Sequence, residues 1–198
     1  MVAHARKPYI SPEEYLRRED AAATKSEYVD GVIVAMSGAT PEHAEITFNL
    51  ATAIGPKLRD SRCRGFSADL RVRIEAANRY YYPDLTVVCG EPEYESRRGF
   101  RHLLNPTAIF EVLSDSTERR DRGEKWEAYW EIESLTNYVL IHQDRPFIEL
   151  FSRKSGDDEW LATRVEGLDA VLKLPGIDCM VPLSEIYENL KFGEMRDA

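Results

Sequence analysis

Cysteine is scarce in this sequence, and its three residues, Cys63, Cys89 and Cys179, lie far apart. No CxxC pair occurs, so the spacing indicates neither a disulfide framework nor a structural zinc site. A reducing cytosol is the simplest compartment for such a chain, and we therefore expect a cytoplasmic protein.

Long hydrophobic runs are also missing. No stretch approaches the ~18 apolar residues of a membrane span, and the N-terminal "MVAHARKPYI" lacks the apolar segment of a secretion signal. The sequence therefore predicts a soluble, unexported protein that does not bind a membrane.

Positive charge is in deficit, because 26 Lys and Arg residues oppose 35 Asp and Glu residues, giving a net charge of −9. This balance excludes a protein that coats nucleic acid without specificity, since the whole surface of such a protein would be basic. A nuclease stays compatible with it, because a local basic patch can sit on an acidic body.

Length and composition are those of one globular domain: the chain has 198 residues, of which 43% are apolar. The sequence contains no internal repeat and no low-complexity linker. We therefore predict a single domain over residues 1–198, with frayed ends at 1–8 and 194–198.

Local signals predict the order of helices and strands. Ser11 begins a helix as its cap, the Asp30-Gly31 pair turns a hairpin, and Thr40 caps a second helix. A charged helix is expected over residues 117–131. Strands are expected at "FSADLRVRI", "YPDLTVVC", "TAIFEVLS", "NYVLIH", "FIELFSRK" and "WLATRV", before a short helix in "PLSEIYENL".

This order predicts an α+β fold with a mixed sheet flanked by helices, an N-terminal helix and hairpin, and C-terminal strands. Two of the strand candidates hold continuous apolar runs, which are typical of strands covered on both faces.

Two carboxylates stand in these apolar runs. Glu111 lies within Ala108–Leu113, and Asp84 follows Pro83 at the start of the preceding strand. An unpaired buried carboxylate costs several kcal/mol, so such residues need a cation or a hydrogen-bond network. Either acid alone has an ordinary explanation: Asp84 as a turn residue, Glu111 as an edge residue or the partner of an arginine. Together they point to a hard divalent cation, Mg²⁺ or Mn²⁺.

Lys125 follows Glu111 on the charged helix and shares a helix face with Asp121, four positions earlier. One interpretation is a solvated ion pair on the helix surface. The other is an ammonium that reaches the metal site, orients a water and offsets charge on a phosphoryl oxygen.

Arginines are the candidates for contact with a nucleic-acid backbone. Arg71 and Arg73 alternate in one strand, and Arg119 and Arg120 crowd the start of the charged helix. Arg71 and Arg73 could equally lie on an exposed strand face. The run of three tyrosines at 80–82 is interpreted as packing rather than as a stacking surface for bases.

Four segments together resemble a known family: "SEYVDGVIVAMSGATPEH", "YYYPDLTVV", "IFEVLSDSTERRDRGEKWEAY" and "YVLI". The sequence resembles the Uma-type restriction endonuclease family, a branch of the PD-(D/E)XK nuclease superfamily, over roughly residues 11–190. The combination of "EVLSDST" with "DRGEK" carries most of the specificity.

The resemblance implies a restriction endonuclease-like core in which Asp84 and Glu111 are metal ligands. The sequence departs from the superfamily pattern because Leu113, two positions after Glu111, replaces the usual lysine. The resemblance moves that lysine to Lys125 on the next helix.

Three further residues enter through the resemblance. Glu27 matches the acidic residue of the N-terminal motif, as a catalytic and metal-site residue that acts through a second metal ion or a metal-bound water. His43 matches the histidine that follows, and the carbonyl of Val112 is a further metal ligand. The implied activity is a Mg²⁺- or Mn²⁺-dependent DNA endonuclease that acts alone or as a dimer. We expect a homodimer, because the two strands of a duplex need two sites. The alternatives are a non-catalytic interaction or regulatory module, or a hydrolase of RNA or nucleotides.

Overall fold

The computed structural model of the protein describes residues 8–97, 99–154 and 156–192, so the predicted frayed ends fall almost entirely outside the described residues. The helices are α1 (Pro12–Glu19), α2 (Pro41–Leu58), α3 (Glu118–Arg120), α4 (Trp126–Trp130) and α5 (Leu183–Ile186). A π-helical turn (Asp121–Lys125) joins α3 to α4, and a 3₁₀ turn covers Pro175–Ile177. The strands are β1 (Ser26–Val29), β2 (Val32–Ala35), β3 (Cys63–Ser67), β4 (Val72–Ile74), β5 (Arg79–Tyr81), β6 (Leu85–Cys89), β7 (Tyr94–Arg97), β8 (Phe100–Leu103), β9 (Ala108–Leu113), β10 (Asn137–His142), β11 (Phe147–Ser152), β12 (Leu161–Glu166), β13 (Val171–Leu174) and β14 (Cys179–Pro182).

The central sheet has the strand order β12-β11-β10-β9-β6-β3. It is mixed, because β9 and β10 run parallel while the other neighbours are antiparallel. This sheet and its flanking helices confirm the α+β prediction. A second sheet, with the order β2-β1-β5-β4-β8-β7, lies beside it, and β13 pairs with β14.

The second sheet differs from the expectation of a single main sheet. The segment "FSADLRVRI", predicted as one strand, is divided: β3 ends at Ser67 in the central sheet, and β4 begins at Val72 in the second. The strands of the second sheet are three or four residues long. Such short strands carry too little periodicity to be recognised from the sequence.

The predicted local signals are present. The Ser11 hydroxyl accepts a hydrogen bond from the Glu14 amide at 3.2 Å, and the Thr40 hydroxyl accepts one from the His43 amide at 3.1 Å. Asp30 and Gly31 both have positive φ, 39° and 92°, as a two-residue hairpin turn requires. The Thr40 cap fixes the first turn of α2 and therefore the position of His43.

Strand β9 is buried along its whole length and separates two cores. Phe110 and Val112 face α2, α5 and the β13–β14 hairpin. Ile109 and Leu113 face the other side, where Tyr129 of α4 covers the sheet. Because side chains alternate along a strand, Glu111 shares the face of Ile109 and Leu113 and points toward α4.

Cys63 and Cys89 are joined by a disulfide bond between the paired strands β3 and β6. This corrects the sequence analysis, in which the spacing gave no sign of a disulfide. The two residues are distant along the chain, and only the register of β3 on β6 makes them direct neighbours. Within the described residues, no helix is both long and apolar enough to span a membrane.

His102 gives the fold a predicted sensitivity to acid. It is fully buried, and neither ring nitrogen finds a hydrogen-bond partner among the described residues. Burial, aided by the positive charge of Arg71, lowers the pKa of His102 to about 4. As the pH falls, His102 is therefore protonated near pH 6.5 in the unfolded chain but only near pH 4 in the folded chain. Stability is complete above pH 6.5 and falls by up to about 3 kcal/mol as the pH drops to 4.

His102→Phe keeps the edge-to-face contact with Tyr80, whose ring centroid lies 5.2 Å away, and removes this titration. Denaturant unfolding between pH 4 and 7 is expected to show a smaller loss of stability in the variant. Parallel stability curves for variant and wild type would contradict the prediction.

Candidate active site

Asp84 and Glu111 meet at the end of two neighbouring strands. In the β6–β9 pairing Leu85 lies opposite Phe110, so the register extended by one residue places Asp84 opposite Glu111. The backbone amide of Val112 donates a hydrogen bond of 2.7 Å to Asp84 Oδ2. The structure thus brings together the two carboxylates that the sequence singled out.

Glu111 is 4% exposed, and two donors converge on one of its oxygens. Lys125 Nζ and the Tyr129 hydroxyl each donate to Oε1 at 3.0 Å, whereas Oε2 has no donor among the described residues. Burial raises the pKa of Glu111 well above its usual value; the charge of Lys125 opposes this rise and nearby carboxylates reinforce it. The negative charge of Glu111 in this buried position therefore requires a neighbouring positive charge.

The buried side chain of Lys125 provides this positive charge. Its Nζ lies 3.0 Å from Glu111 Oε1, 3.2 Å from Glu27 Oε1 and 3.0 Å from Asp121 Oδ1. Burial alone would lower the pKa of Lys125, but the three carboxylates outweigh it and raise that pKa well above its usual value. Lys125 is therefore a buried ammonium and not part of a solvated surface ion pair.

A π-helical turn orients this lysine. Asp121 and Lys125 begin and end the turn, and both are almost completely buried. The Tyr138 hydroxyl donates a hydrogen bond of 2.8 Å to the Asp121 carbonyl oxygen. Single π-helical turns within α-helices are rare and frequent at functional sites.

Glu27 is 2% exposed, and protein donors hold both of its oxygens. Arg120 Nη2 lies 2.9 Å from Oε2, and Oε1 faces Lys125 and the Tyr82 amide, which is 3.4 Å away. This occupancy favours a positioning role for Glu27 over the metal ligation that the sequence analysis expected. Arg120, which the sequence analysis predicted to contact nucleic acid, thus forms an ion pair with Glu27 within the protein.

His43 reaches the site from the first turn of α2. Its Nε2 lies 3.2 Å from Asp84 Oδ2, the oxygen that also accepts from the Val112 amide. Burial lowers the pKa of His43, but the hydrogen bond and charge of Asp84 outweigh it, and the net shift is upward. Asp84 Oδ1 has no donor among the described residues.

The arginines predicted to contact nucleic acid have different surroundings. Arg71 and Arg73 are only 7% and 8% exposed, and their guanidinium groups lie over Tyr82 and Tyr80 respectively. In this fold they pack against aromatic rings, and their contact with phosphate stays a prediction. Arg119 is exposed. The three tyrosines at 80–82 are buried, which confirms their interpretation as packing residues.

The donor set fits a hard divalent cation, although within residues 8–97, 99–154 and 156–192 no three His, Cys, Asp or Glu side chains form a ready metal cluster. Asp84 Oδ1 and Glu111 Oε2 are carboxylate oxygens left without a described donor on adjacent residues of a strand pair. Mg²⁺ prefers oxygen ligands, keeps several waters and is usually bound through one or two carboxylates. Two free carboxylate oxygens, completed by waters, therefore match this pattern of ligands.

The fold defines a class of protein. A crystal structure of "a putative nuclease belonging to DUF820" from Anabaena variabilis matches with a TM-score of 0.70 at 16% identity, covering 90% of this chain and 97% of that chain. The likeness shows that this chain has a restriction endonuclease-like fold.

The family follows from the sequence match. The Uma2 family model, described as "Putative restriction endonuclease", matches residues 12–182. The chain therefore belongs to the Uma2 family, and this membership supports a nuclease. Two uncharacterized proteins of Synechocystis sp. are similar: sll1609 is 34% identical over 87% of this chain and 97% of its own length, and slr1290 is 33% identical over 97% and 100%.

The sequence analysis did not predict that three further residues contact the buried ions Glu27, Glu111 and Lys125. Tyr129 was not singled out, yet its hydroxyl donates a hydrogen bond to Glu111. Asp121 and Arg120 stand in a charged segment with the composition of a solvated helix, yet both lie against buried ions. A possible signal was the density of charges and aromatic residues in "ERRDRGEKWEAYW", which is too large for one solvated face.

Proposed function

We propose that the protein is a metal-dependent endonuclease that hydrolyses phosphodiester bonds in DNA. The observation that carries the proposal is the pairing of Asp84 with Glu111, each with one oxygen left without a described donor, in front of the buried Lys125 ammonium. Family membership supports a nucleic acid as the substrate.

Asp84 Oδ1, Glu111 Oε2 and the Val112 carbonyl would hold Mg²⁺ or Mn²⁺. The ion, when bound, supplies a water of lowered pKa and polarises the phosphoryl oxygen. The Val112 amide and His43 fix Asp84 by its other oxygen, so that Oδ1 is presented in one orientation. Lys125 and Tyr129 do the same for Glu111.

Lys125 has a second task in this mechanism. Its positive charge, kept by three neighbouring carboxylates, offsets the negative charge that grows on the phosphoryl group during hydrolysis. Glu27 and Arg120 hold the lysine in place. His43, whose pKa is raised, can carry a positive charge at the rim of the site and attract the substrate phosphate.

We also propose a homodimer as the active species on duplex DNA. The described residues of one chain offer one pair of carboxylates for a metal ion, and cutting both strands of a duplex takes two such sites. Light scattering on the purified protein with and without a short duplex measures the number of copies.

Asp84→Asn tests the function. Because the variant removes a charged ligand and keeps the side-chain shape, we expect Mn²⁺ affinity by calorimetry to fall at least about tenfold and cleavage of supercoiled plasmid at least about 1,000-fold. Asp60→Asn, a matched change at an exposed position, should behave as the wild type.

Full Mg²⁺-dependent cleavage by Asp84→Asn would refute the mechanism. A wild-type protein that holds no divalent ion at millimolar concentration would instead favour the non-catalytic module. Parallel reactions with linear duplex, single strands and RNA identify the preferred nucleic acid.

A further inference from the structure

The solvent side of α2 exposes a large apolar side chain among small residues. Phe48 is 69% exposed, the highest value for any large apolar side chain in the described part of the chain. Its exposed neighbours, three, four or seven positions away along this helix, are Ala44, Ala51, Thr52 and Gly55. We call these five residues the outer face of α2. An exposed apolar helix face of this kind is typical of a contact with another chain.

The space above Gly55, at the C-terminal end of the outer face, is open. A methyl group added at Gly55 would meet no atom within 4 Å beyond the backbone of its own helix turn. Beside it lies a cavity of about 540 Å³ between α2 and β3, to which α2 contributes Ala51, Ile54, Gly55 and Leu58. None of these four residues has a polar side chain. A large apolar group above Gly55 therefore finds room and apolar surroundings.

Charges of opposite sign stand near the two ends of the outer face. Glu45 lies toward its N-terminal end and Arg59 follows its C-terminal end, and both residues are exposed. They are three and eleven positions from Phe48, spacings that keep them on the same side of the helix. Neither forms an ion pair within residues 8–97, 99–154 and 156–192. Both charges are therefore available to a partner.

A second copy of α2, antiparallel to the first, complements these features. With a two-fold axis between Ala51 and Thr52, Phe48 of each copy lies opposite Gly55 of the other, because both are equally far from the axis along the helix. Glu45 of each copy then comes beside Arg59 of the other. The two helix dipoles also run in opposite directions. The outer face is thus self-complementary, as an isologous contact requires.

We propose that the protein forms a two-fold homodimer through the outer face of α2, in which Phe48 of each copy occupies the space above Gly55 of the other. The inference rests on the proposed function, whose homodimer it provides with an interface. His43 points away from the outer face toward Asp84, so the contact uses no residue of the candidate active site. The two His43 residues lie about 25 Å apart along the helix pair.

Analytical ultracentrifugation of the purified protein tests the proposal. The wild type is expected to be a dimer at micromolar concentration. Phe48→Asp should weaken dimerisation at least about 30-fold, the scale of a central interface residue. Leu161→Asp makes the same kind of change at an apolar residue that is 66% exposed on β12, and it should leave the dimer unchanged. Circular dichroism verifies that both surface variants fold.

Exchanging the two charges provides an independent readout. Glu45→Arg or Arg59→Glu alone places like charges beside each other at both ends of the contact and should weaken dimerisation at least about threefold. The double variant, with both changes, should recover most of this loss. Within one copy the two residues are about 21 Å apart along the helix, so recovery reports a contact between copies.

The inference is overturned if the wild type is monomeric with and without a short duplex, if Phe48→Asp and Leu161→Asp dimerise alike, or if the double charge variant dimerises no better than the single ones. Mn²⁺ affinity separates this failure from failure of the proposed function. Phe48→Asp should keep wild-type Mn²⁺ affinity, whereas Asp84→Asn should lose it and still dimerise as the wild type does.

Discussion

Replacing Lys125 by methionine is expected to lower the free energy of unfolding at pH 7 by about 3–5 kcal/mol and to abolish cleavage. Methionine fills similar space but leaves Glu27, Glu111 and Asp121 buried without their shared ammonium. Removing one partner of a buried ion cluster leaves charges that water no longer solvates, so the loss exceeds that of any surface pair. Denaturant titration followed by circular dichroism measures the change.

Lys154→Met is the control, because Lys154 is exposed and the same change there should cost little. The deficit of Lys125→Met should shrink as the pH falls toward 5, because protonation of Glu111, whose pKa burial raises, removes one of the charges left without a partner. A variant as stable as the wild type at pH 7 would show that the cluster does not depend on the ammonium.

Glu111→Gln should lose activity without losing stability, unlike Lys125→Met. We expect cleavage to fall at least about 1,000-fold, while the free energy of unfolding at pH 7 stays within about 1 kcal/mol of wild type or rises. Glutamine keeps an oxygen for Lys125 and Tyr129 but removes a negative charge from a site with three carboxylates around one ammonium. Charge repulsion is thus relieved while the metal-binding oxygen pair is lost.

The raised pKa of Glu111 predicts how the stability difference between Glu111→Gln and wild type changes with pH. Because the pKa of Glu111 is raised in the folded protein, the folded state holds a proton that the unfolded state releases near pH 4.5. The wild type therefore loses stability from this group as the pH rises above 4.5, and the variant does not. Stability curves in EDTA should diverge in favour of Glu111→Gln between pH 4.5 and 7.5. Curves that converge over this range would contradict the raised pKa.

Much of the local structure was predictable because its causes are local. The caps at Ser11 and Thr40 and the turn at Asp30-Gly31 each depend on residues within a few positions. The buried strand at Ala108–Leu113 was predictable because a short run of continuous apolar residues is typical of a strand that is covered on both faces. The same pattern made Glu111 conspicuous, and the site prediction began from that residue.

The rest of the site depends on contacts between distant segments. Glu27 and Arg120 are 93 positions apart and meet only because the second sheet packs against the helix that follows β9. The second sheet itself is built from strands too short to show periodicity. The charged segment from Glu118 onward has a solvated composition, and its burial follows from these neighbours.

The Cys63–Cys89 bond joins residues 26 positions apart in the sequence and closes a covalent ring that contains β4, β5 and Asp84 and leaves Glu111 outside it. A single cut of the backbone between residues 63 and 89 leaves one molecule, because the disulfide bond still joins the two fragments. Reduction of the bond after such a nick would release two fragments, one carrying Glu27 and His43 and the other carrying Glu111 and Lys125.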